Sequence, residues 1–163
     1  MKTDPLAREV LALWKRHQQI LLFLLQRIPE KHLDAVPGGS KGRDVARQFA
    51  HLNRTRLGWL HFHRTGERPE LPKSSKGERP RKKELQAALK ASGKEIEELL
   101  GAALRGEKRV RLFGKSPVRW LGYLVAHESH HRGQILLALK QSGHALDPKV
   151  SVQGLWGKWM FGK

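Results

Sequence analysis

The sequence predicts an all-α fold, a four-helix bundle followed by an irregular C-terminal tail. Three observations carry that expectation. Four long stretches repeat apolar residues at helical spacing. Breaker-rich segments separate them, and no stretch of useful length alternates as a strand would. Connections of very different length suit a bundle. With 163 residues, no internal repeat and no long linker, residues 1–163 read as a single domain able to bury a core.

The first helix opens at Asp4-Pro5, since proline suits the first helical position. It carries Leu11, Leu13, Trp14, Ile20, Leu21, Leu24 and Leu25 and stops before Pro29. A connection ends in the breakers Pro37-Gly38-Gly39. The second helix is expected from about Ser40 to His63, with Val45, Phe49, Leu52, Leu57, Trp59, Leu60 and Phe62. Residues 65–79, rich in Gly, Pro, Ser and Lys, read as a loop. The third helix is expected from near Pro80 to near Gly106. Leu85, Leu89, Ile96, Leu99, Leu100 and Leu104 form its apolar face. A short extended piece, residues 110–114, leads to the fourth helix. There Ser116 is the predicted N-cap and Pro117 the first residue, and Gly143 ends the helix. The tail, residues 145–163, holds Trp156, Trp159 and Phe161 with no clear period.

Composition narrows the function classes. Hydrophobic residues make up 39% and charged residues 29%, a globular balance. The longest apolar run, Ile20 to Leu25, is far short of the roughly 20 residues that cross a bilayer. The first residues show no signal-peptide pattern, so the expected location is the cytoplasm. The absence of cysteine removes disulfides, thiolate nucleophiles and cysteine-ligated zinc. Any metal site must use His, Asp or Glu, and nine histidines are available.

The informative stretch is His127-Glu128-Ser129-His130-His131-Arg132-Gly133-Gln134, inside the fourth helix. Residues four apart differ by about 40° around a helix and by about 6 Å along it. His127 and His131 can therefore face one metal ion. Taking His127 as zero, Trp120, Ala138, Leu124 and Ile135 fall between about +20° and +80°, and His131 at about +40° lies among them. His130, at about −60°, lies towards the edge of this face, and Gln134, at about −20°, could support a ligand or touch substrate. Two inward histidines need a partner, because an unpaired buried polar group is costly. A metal supplies one. Hydrogen bonds to backbone or carboxylates in a polar core are the alternative. His51, midway along the second helix, is the best third ligand, although its face also carries Gln48, Thr55 and Phe62 and is no clean apolar stripe. His61 and His63 are expected to meet solvent near the helix end, and His17, His32 and His144 have no supporting pattern.

The same stretch matches H-E-x-x-H, with Glu128 as general base of a zinc peptidase. The metzincin extension fails, because Gln134 and Leu137 stand where it needs Gly and His. The only acidic residue after Glu128 is Asp147, so no downstream Glu ligand exists, and no strand is evident to hold a peptide. Glu128 is a candidate proton carrier beside a metal; as an exposed helical residue it would instead pair with Arg132 at i+4.

The segment Ala126-His127-Glu128-Ser129-His130-His131-Arg132-Gly133-Gln134-Ile135 resembles the last-helix signature of the DinB/YfiT-like superfamily. Phe49-Ala50-His51-Leu52 resembles its second-helix histidine motif. The helix order, the long second-to-third loop and a Trp-containing tail are similar too. The resemblance implies a bundle binding zinc, nickel or a similar ion through His51, His127 and His131. It also implies a metal-dependent transferase or hydrolase acting on a small molecule, since characterised branches include thiol-dependent S-transferases and a mycothiol-dependent isomerase. A low-molecular-weight thiol cofactor and a homodimer are further implications. Three histidines with an open coordination position form a catalytic arrangement, in which a metal lowers the pKa of a bound water or thiol.

The net charge of +17, from 32 Lys and Arg against 15 Asp and Glu, raises a different class. Lys73, Lys76, Arg79, Arg81, Lys82 and Lys83 form one basic region; Lys108, Arg109, Arg111, Lys115 and Arg119 form another. Such regions attract phosphates without a specific fold, so a nucleic-acid-binding helical module is the alternative function. No helix-turn-helix pattern, RNA-binding signature or zinc finger supports it, and a solvated lysine-rich surface explains the same charge.

Overall fold

The computed structural model describes residues 4–39, 41–70 and 79–162, all helices, turns and connections. Helices α1 (Pro5–Arg27), α2 (Val45–Thr65), α3 (Lys82–Leu104) and α4 (Pro117–Gln141) form the bundle, and a short α5 (Gly157–Met160) closes the chain. No strand occurs among the described residues, and no helix there is long and apolar enough to cross a membrane.

The caps explain the boundaries. The Asp4 carboxylate accepts from Leu6 N–H at 3.1 Å, and Ser116 Oγ accepts from Arg119 N–H at 3.3 Å. Both caps precede the prolines that the sequence singled out. Helix α2 starts later than expected. The Asp44 side chain accepts from Arg47 N–H at 2.8 Å, so the cap is Asp44, while Ser40 lies outside the described residues. The carboxylate also pairs with Arg79 at 3.1 Å, tying the start of α2 to the segment before α3. Helix α3 begins two residues after Pro80, where Arg81 N–H donates to Glu84 Oε2 at 2.9 Å.

Two apolar clusters fill the bundle. One gathers Ile20, Leu21, Leu24, Phe49, Leu52, Leu89, Ile135 and Leu139; the other gathers Trp14, Leu60, Ile96, Leu100, Trp120 and Leu124. Along each of the four bundle helices a polar position separates them: His17 on α1, Arg56 on α2, Ser92 on α3 and Glu128 on α4 are all buried. The bundle therefore has a polar layer at mid-height.

The extended piece expected at residues 110–114 is instead a tight turn ending in a 3₁₀ helix, Phe113–Lys115. Leu112, Phe113, Gly114 and Lys115 have φ of 58°, 48°, 61° and 58°, so the chain reverses hand rather than extending. The tail is also helical, a π-helical stretch Val150–Trp156 running into α5. Glycine permits that packing. A Cβ on Gly154 would stand 2.2 Å from the Phe23 ring, so only Gly lets the tail lie against α1. Leu155 is buried and Trp159 packs on the core, whereas Trp156 and Phe161 are exposed.

Candidate metal centre

Helix α4 presents His127 and His131 one turn apart, and α2 packs beside it with His51 opposite. Each of the three rings offers a nitrogen, and these atoms lie within 4.8 Å of one another. Ring centroids are 5.4 Å apart for His51 and His127, 4.7 Å for His51 and His131, and 4.6 Å for His127 and His131. His131 is buried, while His51 and His127 are half-buried, which leaves the group a solvent-facing side. Tyr123 stacks on His127 at 5.7 Å.

The electrostatics keep these rings neutral. Burial, then the charges of Arg43, His127 and Arg54, lowers the His51 pKa to about 4. Burial, followed by His127, His51, His130 and Arg43, lowers His131 to about 4 as well. Burial lowers His127 too, partly opposed by Glu128. At neutral pH all three have a free lone pair, the form a metal requires.

A hydrogen-bonded relay supports the site from behind. His131 Nδ1 stands 2.6 Å from Gln48 Oε1. Gln48 Nε2 donates to Gln134 Oε1 at 2.9 Å, and Gln134 Nε2 lies 2.9 Å from His130 Nε2. An amide oxygen only accepts, so this arrangement puts the His131 proton on Nδ1 and leaves Nε2 free as a ligand atom. His127 Nδ1 is buried without a hydrogen-bond partner, so no protein group commits that ring to either tautomer. The donor set therefore fits a borderline divalent ion that prefers imidazole.

Glu128 departs from the sequence reading. It is 1% exposed and does not sit on the surface beside Arg132, whose guanidinium instead donates to Ser129 Oγ at 3.2 Å. Arg56 Nε and Nη2 donate to its two oxygens at 2.6 and 2.7 Å, and His17 Nε2 donates at 2.9 Å. Desolvation opposes ionisation, but Arg56 and His17 prevail and hold the carboxyl at about 2. A general base must be free to take a proton near neutrality; Glu128 is a fixed anion with both oxygens engaged. The H-E-x-x-H spacing here reports a core ion pair, and the peptidase reading loses its base.

Arg56 and Gln48 were not foreseen as site residues. Arg56 is fully buried, its guanidinium 4.9 Å over the Trp14 ring and bonded to Leu89 O at 3.1 Å. A signal existed in the broken apolar stripe around His51: Gln48 at i−3 and Arg56 at i+5 are its polar interruptions, and each bridges α2 to α4. His63 was misplaced, and His17 had been given no role. His63 is 4% exposed rather than solvated, and His17 has its partner in Glu128. His61 is exposed as expected, and His32 stacks on His144 at 3.6 Å. Lys73 and Lys76 of the first basic region lie outside the described residues.

No curated protein matches the chain. The model of the DinB family matches residues 1–150, a span that contains α1 to α4 and all three histidines of the cluster. The chain therefore belongs to the DinB family.

Proposed function

We propose that the protein is a divalent-metal-dependent enzyme of the DinB family, acting on a small molecule as a thiol-dependent S-transferase or a hydrolase. The observation that supports it is the cluster of His51, His127 and His131, with ligand atoms within 4.8 Å of one another and a solvent-facing side. Zinc or nickel is the ion best suited to three neutral imidazoles with a position left open. Such an ion supplies Lewis acidity there, lowering the pKa of a water or thiol that ligates it. A low-molecular-weight thiol fits the reading, because the chain has no sulfhydryl of its own. In this proposal Gln48 and Gln134 fix the ring of His131, and Gln134 stands where substrate can meet it. Glu128 acts from beneath, anchoring α4 next to His127. A cytoplasmic homodimer belongs to the same reading.

The test is turnover. Protein loaded with zinc or nickel is offered a panel of small thiols with electrophiles, and a panel of amides and esters. Activity that vanishes in His131→Ala supports the proposal; no turnover by the fully loaded protein in either panel counts against it.

A further inference from the structure

A second feature lies away from the histidine cluster. A cleft of about 1290 Å³ opens between the C-terminal ends of α2 and α3 and the connection before α4. None of His51, His127 and His131 lines it. Its charge is unbalanced. The two lining acids are already committed: Glu107 accepts from Arg105 at 2.6 and 2.8 Å, and Glu98 pairs with Lys94 at 3.9 Å. Arg64 pairs with Glu95 at 2.9 Å. Lys108, Arg109, Arg111 and Lys115 also line the cleft, and among the described residues they have no acidic partner.

All four cations are exposed, and one of them, Arg111, is held on a built frame. His63 lines the cleft and is 4% exposed. Its Nδ1 accepts from Arg111 N–H at 3.1 Å, so the neutral ring carries its proton on Nε2, a buried donor with no acceptor. The ring stacks on Trp59 at 5.7 Å and meets Trp120 edge-on at 4.5 Å. The Arg111 guanidinium lies against Gly66, where a Cβ would come within 3.0 Å of Cζ. Beyond it, residues 112–115 keep their left-handed backbone because Phe113 is pinned by Trp59 at 4.9 Å and Tyr123 at 5.2 Å. Such backbone is costly and persists only where its surroundings enforce it, as at ligand clamps. Helix α4 begins at the cleft, with Pro117 in the lining and no acid in its first turn, so its dipole adds positive potential. Leu99, Ala102, Ala103 and Leu112 supply an apolar portion of the lining.

We propose that this cleft binds a soluble ligand with a multiply charged phosphate head and an apolar or aromatic body. The cations and the α4 N-terminus take the head, and the apolar lining takes the body. The cleft exceeds the roughly 300–1,000 Å³ of ordinary small-molecule sites, so it accommodates both parts. The inference stands apart from the metal reading, since none of the three histidines lines the cleft; Tyr123 touches both, meeting Phe113 at 5.2 Å and His127 at 5.7 Å.

The test is isothermal titration calorimetry of the tag-free protein with inorganic pyrophosphate and with adenosine diphosphate, at low and at physiological salt. Saturable one-to-one binding is expected, tighter for the diphosphate with a body. Arg109→Ser and Lys115→Ser should each weaken it about tenfold or more, as expected for a lost charged contact. Lys90→Ser on exposed α3 surface and His51→Ala should leave it unchanged. Arg111→Gln serves as a further variant, checked for folding because the side chain packs on Gly66. Absence of saturable binding would overturn the proposal, as would equal weakening by Lys90→Ser, which would mean diffuse attraction. Loss in His51→Ala would assign the heat to the histidine cluster. Binding of duplex DNA without binding of either phosphate probe would assign the charge to nucleic acid instead.

Discussion

Glu128→Gln tests the polar layer that sits beneath the candidate metal centre. The carboxylate is 1% exposed and Arg56 is fully buried. Removing one partner of a buried ion pair strands the other charge and costs about 3–5 kcal/mol. The pKa gives a second route to the number. The Glu128 carboxyl falls from 4.5 to about 2 on folding, and about 1.4 kcal/mol per unit makes this roughly 3 kcal/mol at neutral pH. The sign follows from the depressed value: the contribution is complete above pH 4.5 and is lost as pH falls towards 2. Urea unfolding of wild type and variant at neutral pH should show the full gap, which should shrink across that acid window. Arg56→Met alone should cost at least as much, since it leaves a buried anion. Arg56→Met with Glu128→Leu should recover much of the loss, and the double-mutant cycle measures the coupling. A gap below about 1 kcal/mol, or one that does not change between pH 4.5 and 2, would refute the reasoning.

Gln48→Leu should weaken metal binding about 10- to 100-fold while the helical content stays unchanged, because it frees the ring of His131; competition against a chromophoric chelator measures it. The metal-free protein should lose stability as pH falls from 6.5 towards 4, because His51 and His131 titrate near 4 when folded and at 6.5 when unfolded. Urea midpoints across that range check this, and bound metal should resist proton competition until the pH approaches the lower value. Gly66→Ala should cost about 1–2 kcal/mol, since the residue has φ of 85° and its new Cβ would press on Arg111; thermal melts at fixed pH read the loss.

Much of the fold was legible because its signals are local. Asp4-Pro5 and Ser116-Pro117 announce α1 and α4 through capping chemistry that needs no partner. The pair His127 and His131 was legible for the same reason, since a four-residue step on a helix fixes their shared face. The start of α2 was not legible, because Asp44 and Ser40 are both acceptable caps and the choice is enforced by Asp44 reaching Arg79. The tail looked irregular because its helix rests on Gly154 approaching Phe23, a contact across the sequence. The largest gap was Glu128. On α4 alone it looks like a surface acid with Arg132 four residues on. Only the arrival of Arg56 from α2 and His17 from α1 makes it a core residue. Polar groups that satisfy one another across helices leave no periodic trace on any single helix.

The most direct measurement is metal content by elemental analysis of tag-free protein after loading with zinc or nickel. Wild type should hold close to one ion per chain, and His51→Ala, His127→Ala and His131→Ala should each lose it, while His61→Ala, on the exposed side of α2, should retain it. A wild type that stays empty after loading, or a His61→Ala variant that loses as much metal as the other three, would contradict the assignment of this cluster as a metal centre.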